Sequence, residues 1–205
     1  MKILYGTTNP GKLAVMKRSL APLKEIELIG LHEIEMPLPE IEETGSTPLE
    51  NARLKAVAYY EAWHMPVFSC DSGLYFEGLP EEIQPGIHVR NVNGKCLTDQ
   101  EMTQYYGGLA KKYGDITARY KNAICLVMDQ EHIYESMEES LSGEPFLLTS
   151  VPHEKRQTGF PLDCLSKNIA TGQYYYDLGE NRQDDVALDR GFLEFFRDSI
   201  KTING

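Results

Sequence analysis

The stretch Lys2-Ile3-Leu4-Tyr5-Gly6-Thr7-Thr8-Asn9-Pro10-Gly11-Lys12 decides how this chain reads. Residues 2–6 form a short apolar run suited to a strand, and Pro10–Ala21 carries a helical pattern, with Pro10 and Gly11 fitting the turn and the first helical positions. A helix start leaves backbone N–H groups unpaired and bears partial positive charge, so small residues there admit an anion, and Lys12 adds a full charge. Thr7, Thr8, Asn9 and Lys12 are therefore candidate phosphate ligands. An ordinary strand-to-helix turn with a surface lysine has the same sequence, and the stretch alone does not separate the two. It has neither the G-x-x-x-x-G-K-[ST] nor the G-x-G-x-x-G spacing.

Working outward, strands are expected at Ile26–Ile29 and Val67–Cys70, with a helix over Pro48–Trp63 between them after a Pro-rich acidic loop, Met36–Thr44. Thr47 reads as that helix's N-cap, with Glu50 completing a capping box. Asn51 and Lys55 are four apart and share a face, pointing at phosphates or at water. A turn-rich segment leads to Asn93-Gly94, then a helix over Asp99–Tyr113, weakened by Gly107-Gly108. Strands follow at Thr117–Met128, Ile133–Met137 and Phe146–Val151, with a hairpin turn at Asp129-Gln130. Tyr174-Tyr175-Tyr176 reads as a half-buried strand. A last helix is expected over Asp185–Ile200, with Phe192, Phe196 and Ile200 facing inward. No repeat, low-complexity tract or linker divides residues 1–205, so one domain is expected. The order of elements predicts an α/β fold: a twisted mixed sheet flanked by helices, a second, more antiparallel lobe, and a ligand site in the cleft between lobes.

Composition narrows the function classes. A chain of 205 residues with net charge −11 lacks the basic balance of a nucleic-acid binder. A small triphosphate is compatible, given a local basic pocket. The four cysteines, Cys70, Cys96, Cys125 and Cys164, form no C-x-x-C pair, and the five histidines lack zinc-ligand spacing. No apolar run reaches the length of a membrane span and no signal sequence opens the chain, so a soluble cytoplasmic protein is expected.

Three blocks sharpen the reading: Thr7-x-Asn9-x-x-Lys12; Glu42-Glu43-Thr44-Gly45 followed by Glu50-Asn51-Ala52-x-x-Lys55-Ala56; and Asp71-Ser72-Gly73-Leu74, with Pro85-Gly86-Ile87 beyond. In this order they resemble the inosine triphosphate pyrophosphatase family, which hydrolyses non-standard purine nucleoside triphosphates to monophosphate and pyrophosphate. The resemblance implies that family's two-lobed fold, a homodimer, and a nucleoside triphosphate as substrate. It implies Asp71 as proton acceptor and Glu43 as a metal ligand. Triphosphate chemistry calls for positive charge, a divalent metal and a base for water. Glu43 and Asp71 are the carboxylates to hold magnesium, with manganese as a substitute. Lys55 and Ser72 join the phosphate ligands, although Ser72 also suits a turn.

The departures matter as much. The family resembled here usually has an acid just before the aspartate matched by Asp71; this chain has Cys70, a poor ligand for a hard ion. Gly159-Phe160-Pro161-Leu162-Asp163 keeps only the outline of the family's base-recognition block. Phe160 stacking on the base and Asp163 bonding its edge stand level with a core phenylalanine and a turn-capping aspartate. The family's S-H-R is matched by Leu188-Asp189-Arg190, leaving Arg190, and its upstream lysine by Asp184 with Arg182 nearby. Two alternatives stay open: a pyrophosphatase for another nucleobase, and a nucleotide-binding regulatory protein without catalysis. Arg119 and Lys121 read as a solvated strand face, and His88 and Arg90 as secondary candidates.

Overall fold

The computed structural model describes residues 1–179 and 183–204, with residues 183–188 and 203–204 described by backbone alone. The helices are α1 (Pro10–Ser19), α2 (Pro48–Trp63), α3 (Asp99–Tyr113) and α4 (Gln183–Asn204). The strands are β1 (Lys2–Tyr5), β2 (Glu27–Gly30), β3 (Val67–Phe76), β4 (Asn91–Val92), β5 (Lys95–Cys96), β6 (Ile116–Val127), β7 (Ile133–Ser136), β8 (Phe146–Leu148) and β9 (Ser166–Lys167). Hydrogen bonds join them in the order β2-β1-β3-β6-β8-β9, with β7 also on β6 and β4 paired separately with β5. β1 is parallel to β2 and β3, while β7 and β8 are antiparallel to β6, giving the mixed sheet of an α/β fold.

The chain forms two compact units, one of residues 1–72, 121–142 and 186 onward, the other of residues 73–120 and 143–185. In the first, Ile3 and Tyr5 of β1 pack with Phe68 against Leu13 and Met16 of α1 and Phe192 and Phe196 of α4. Leu4 and Val67 pack with Ala52, Ala56 and Tyr59 of α2. Side chains alternate along a strand, so α1 and α2 cover opposite faces of β1 and β3. Burial on both faces explains why these strands read as unbroken apolar runs. β1 lies between β2 and β3, so the winding reverses between β1 and β3, the point at which open α/β sheets bind ligands.

The second unit gathers Leu74, Phe76, Met102, Tyr106, Leu148 and Leu165 into its own core. Thr98 and Glu101 form a capping box at α3. Gly107 does not interrupt that helix; it is a point of close approach, where a Cβ would lie 3.4 Å from the Ser150 carbonyl oxygen. Asn93 (φ 51°) and Gly94 (φ 78°) form the left-handed turn of the β4–β5 hairpin, unrecognised in the sequence as a hairpin.

Several boundaries differ from expectation. α1 ends at Ser19 because Pro22 disfavours helix in the residues before it, and β8 ends at Leu148. β3 does not end at Cys70. It stays extended through Asp71-Ser72-Gly73 because Leu74 and Gly86 exchange backbone hydrogen bonds of 2.8 and 3.0 Å. Asp71 is thus inside a strand, not at its carboxyl end. Tyr174–Tyr176 is not a strand: Tyr174 bridges to Lys167, and Tyr175–Asp177 is a 3-10 turn closed by the Asp177 N–H on the Tyr174 carbonyl.

Candidate functional site

The loop after β1 is shaped by its own side chains. The Thr7 hydroxyl accepts from the Asn9 N–H at 3.2 Å, and the Asn9 side-chain oxygen accepts from the N–H groups of Gly11 (2.9 Å) and Lys12 (3.3 Å). Pro10 has no N–H, and the Leu13 N–H bonds the Asn9 carbonyl. The first turn of α1 therefore has no unpaired N–H of the kind the sequence suggested. Asn9 serves as the helix cap, and what α1 offers an anion is its dipole and the half-buried Lys12 ammonium. Thr8 is exposed beside them.

α2 brings the second lysine. Thr47 caps the helix through the Glu50 N–H at 3.2 Å, and Glu50 reaches back to the N–H (2.6 Å) and hydroxyl (2.8 Å) of Ser46. Glu50 is thus structural, its bonds falling one residue earlier than a standard capping box. Buried Asn51 accepts from the Gly45 N–H at 2.8 Å and pins the acidic loop to the helix. Gly45 is required there, because a Cβ would lie 2.6 Å from the Asn51 oxygen. That pinning places Glu43. Lys55 Nζ lies 3.0 Å from Glu43 Oε2 and 3.0 Å from Asp71 Oδ1. Burial would lower the Lys55 pKa, but Asp71 and then Glu43 outweigh it and hold the ammonium above its ordinary value.

Alternation along β3 sends Cys70 the other way. Cys70 packs with the cluster on the α1 side, where Lys12 is the strongest charge acting on its thiol. Burial pushes that thiol up to about 12. Tyr5, stacked on Phe68 with centroids 4.5 Å apart, carries its hydroxyl beside Cys70, and burial, then Cys70, raises its pKa as well. Burial lowers the Lys12 pKa, and repulsion from Lys55 adds to the fall more than any single acidic neighbour offsets. Tyr5 is a buried neighbour of these residues that the sequence reading did not single out; its signal was a hydroxyl-bearing side chain at the end of an otherwise apolar strand.

Thr7, Asn9, Lys12, Glu43, Lys55, Asp71 and half-buried Ser72 thus all belong to the first unit. Glu40 and Glu42 are exposed, as a solvated loop requires. A shallow cavity of about 300 Å³ flanks the loop between Thr7–Pro10, Leu13, Leu31, His32 and Leu38. Only two carboxylates, Glu43 and Asp71, meet here, and no cluster of three or more His, Cys, Asp or Glu side chains suited to a metal occurs among the described residues. Both carboxylates face the Lys55 ammonium; as hard oxygen donors they suit magnesium, which completes its shell with substrate phosphates and water. They do not fit zinc.

The residues expected at the base lie elsewhere in the chain. Phe160 and Asp163 are half-buried in the second unit, where Asp163 adds to the burial that raises the Tyr120 pKa. Arg190 is exposed on α4 and pairs with Glu194 at 2.7 Å, while Asp189 accepts a hydrogen bond from the Ser19 hydroxyl. Arg182 and the side chain of Asp184 lie outside the described residues. Arg90 is committed to the Leu97 carbonyl and to Asp99, and Arg119 donates to the Gly143 carbonyl at 2.6 Å. His88 is exposed, and all four cysteines are free thiols. Among the described residues no helix is long and apolar enough to cross a membrane.

Comparison with known proteins gives concordant matches. The model of the Ham1 family matches residues 3–165. A dITP/XTP pyrophosphatase of Thermus thermophilus is 31% identical over 181 residues, covering 87% of this chain and 82% of that protein. One of Rhodopseudomonas palustris is 34% identical over 141 residues, and the match spans 65% of this chain and 64% of its relative's length. A HAM1 protein from Coxiella burnetii, 24% identical, shares the fold with a TM-score of 0.72 over the whole of both chains.

Proposed function

The chain belongs to the Ham1 family, and on that premise we propose that it is a nucleoside triphosphate pyrophosphohydrolase, releasing pyrophosphate from non-standard purine nucleoside triphosphates. The observation that carries the reading is the meeting of Lys55, Glu43 and Asp71, with Lys12 across β3, at the switch point between β1 and β3.

Lys12 and the start of α1 attract the triphosphate, with Thr7, Thr8 and Ser72 as hydroxyl ligands. Asn9 keeps the loop in its capped shape. Lys55 orients the Asp71 carboxylate through the 3.0 Å contact. Asp71 accepts a proton from water as the water oxygen bonds to the α-phosphorus, and the bond from that phosphorus to the oxygen bridging the β-phosphate breaks. The electron pair leaves with pyrophosphate, whose growing charge faces the lysines. Magnesium, or manganese in its place, is proposed to be held by Glu43 and Asp71 and to neutralise charge on the phosphates. Phe160, Asp163 and Arg190 are the proposed base contacts, resting on the family resemblance. A single functional domain, a homodimer, a cytoplasmic location and a role in cleansing the nucleotide pool rest on the same ground.

The test is pyrophosphate release with magnesium across standard ribo- and deoxynucleoside triphosphates and inosine and xanthosine triphosphates. Release confined to the last two supports the proposal. A different preferred base keeps the reaction and reassigns the substrate, and nucleotide binding without release from any member makes the chain a binding protein.

A further inference from the structure

We propose that Cys70 makes the Lys12 side of the site an anion receptor that works without a divalent cation, so that inorganic pyrophosphate binds there in the absence of metal. The inference rests on the reading that phosphates occupy this site.

The two lysines have unequal partners. Lys55 holds both carboxylates, at 3.0 Å each. Lys12 has no carboxylate within 4.0 Å among the described residues; Asp71, and more weakly Glu43, act on it from farther away, and its neighbour on the α1 face of β3, Cys70, carries an ordinary thiol, uncharged at neutral pH. A half-buried ammonium with no counter-ion in contact is costly in the folded chain, and an arriving anion relieves it. A carboxylate at position 70 would do two things the thiol does not. It would serve as Lys12's permanent counter-ion, and it would repel a phosphate until a metal offset its charge. Alternation along β3 makes this specific to one side: Asp71 is in contact with Lys55 on the α2 face and acts on Lys12 only at longer range, so position 70 decides whether Lys12 has an acid of its own on the α1 face.

Tyr5 closes the arrangement. It is 2% exposed and stacked on Phe68 at an interplanar angle of 11°, so the wall beside Cys70 is an aromatic ring with an uncharged hydroxyl. Cys70 is thus a positioning residue: by staying neutral it leaves Lys12's charge for the substrate.

The experiment is calorimetric titration of the full chain with inorganic pyrophosphate, in excess chelator and again in magnesium, for the parent, Cys70→Ser, Cys70→Asp and Lys12→Met. The parent is expected to bind in chelator, and Cys70→Ser to stay within about threefold of it, serine being equally uncharged. Cys70→Asp should bind at least about tenfold more weakly in chelator and recover in magnesium, since one full charge at contact range in a partly buried site is worth more than a decade of affinity. Lys12→Met should not bind in chelator. Parent binding only with magnesium overturns the inference, as does Cys70→Asp binding in chelator as tightly as the parent. If Cys70→Asp does not fold, the parent titration in chelator decides. Release of pyrophosphate from nucleotides by a parent that fails to bind pyrophosphate in chelator overturns this inference alone. Binding in chelator without release from any nucleotide overturns the proposed function and leaves the receptor standing.

Discussion

Replacing Lys55 by methionine tests the charge arrangement through stability alone. Methionine keeps most of the volume and removes the ammonium, leaving Glu43 and Asp71 without their shared cation. Lys55 Nζ lies 3.0 Å from Asp71, with the two side chains 14% and 16% exposed. At an effective dielectric of about 20 that contact has a gross attraction of about 5 kcal/mol. Desolvation of both ions opposes much of it, and breaking such a pair costs about 3–5 kcal/mol when it is fully buried. The residual exposure of both groups lowers the figure. Glu43 is 48% exposed and adds no more than about 0.5 kcal/mol. A loss of about 2–3 kcal/mol is expected in urea unfolding without metal or nucleotide. The pH dependence follows from the direction of the shift. The Lys55 pKa is raised above its ordinary 10.5, so its contribution is fully present below that value and is lost as pH rises through the folded-state pKa. The difference between parent and variant should therefore be flat through neutrality and narrow only at strongly alkaline pH. A variant within about 0.5 kcal/mol of the parent at pH 7, or a difference that collapses near neutrality, would refute the ion-pair account.

Lys12→Met should behave oppositely. Its pKa is lowered by burial, so removing the charge should raise the unfolding free energy of the ligand-free protein by about 0.5–2 kcal/mol, measured in the same urea titration at pH 7, while phosphate binding is lost. Asn9→Ala removes the α1 cap and should cost about 1 kcal/mol, or roughly 2–4 °C in a calorimetric melt. Gly191→Ala sets helix propensity against geometry: propensity predicts a gain of about 1 kcal/mol, but a Cβ there would overlap the Ser140 carbonyl oxygen. A net loss of about 1–3 kcal/mol is expected in urea unfolding. Asp71→Asn should lower the turnover number at least about a hundredfold with nucleotide affinity nearly kept, checked by steady-state kinetics beside calorimetric binding.

The elements most legible in the sequence were those whose ends are written in side chains. α2 and α3 begin at Thr47 and Thr98, each a hydroxyl cap on a following glutamate N–H. Their ends match expectation because local bonding sets them. The continuation of β3 was not legible, since it depends on Gly86, distant in sequence, bonding Leu74. The tyrosine run misled for a related reason: its aromatics pack against His153 within a turn, and aromatic composition alone does not distinguish a strand from a packed turn. At the site, the sequence singled out both lysines and both carboxylates. It did not reveal that Lys55 holds both acids while Lys12 holds none, because that division depends on which faces of β3 the helices cover. Nor did it show that Asn9 uses up the N–H groups of its own helix.

The central claim is that the site directs water to the α-phosphorus. The most direct measurement is a single turnover of inosine or xanthosine triphosphate in 18O-enriched water with magnesium, followed by mass spectrometry of both products. One heavy oxygen in the nucleoside monophosphate and none in the pyrophosphate is the predicted result; heavy oxygen in pyrophosphate, or release of orthophosphate in its place, would contradict it.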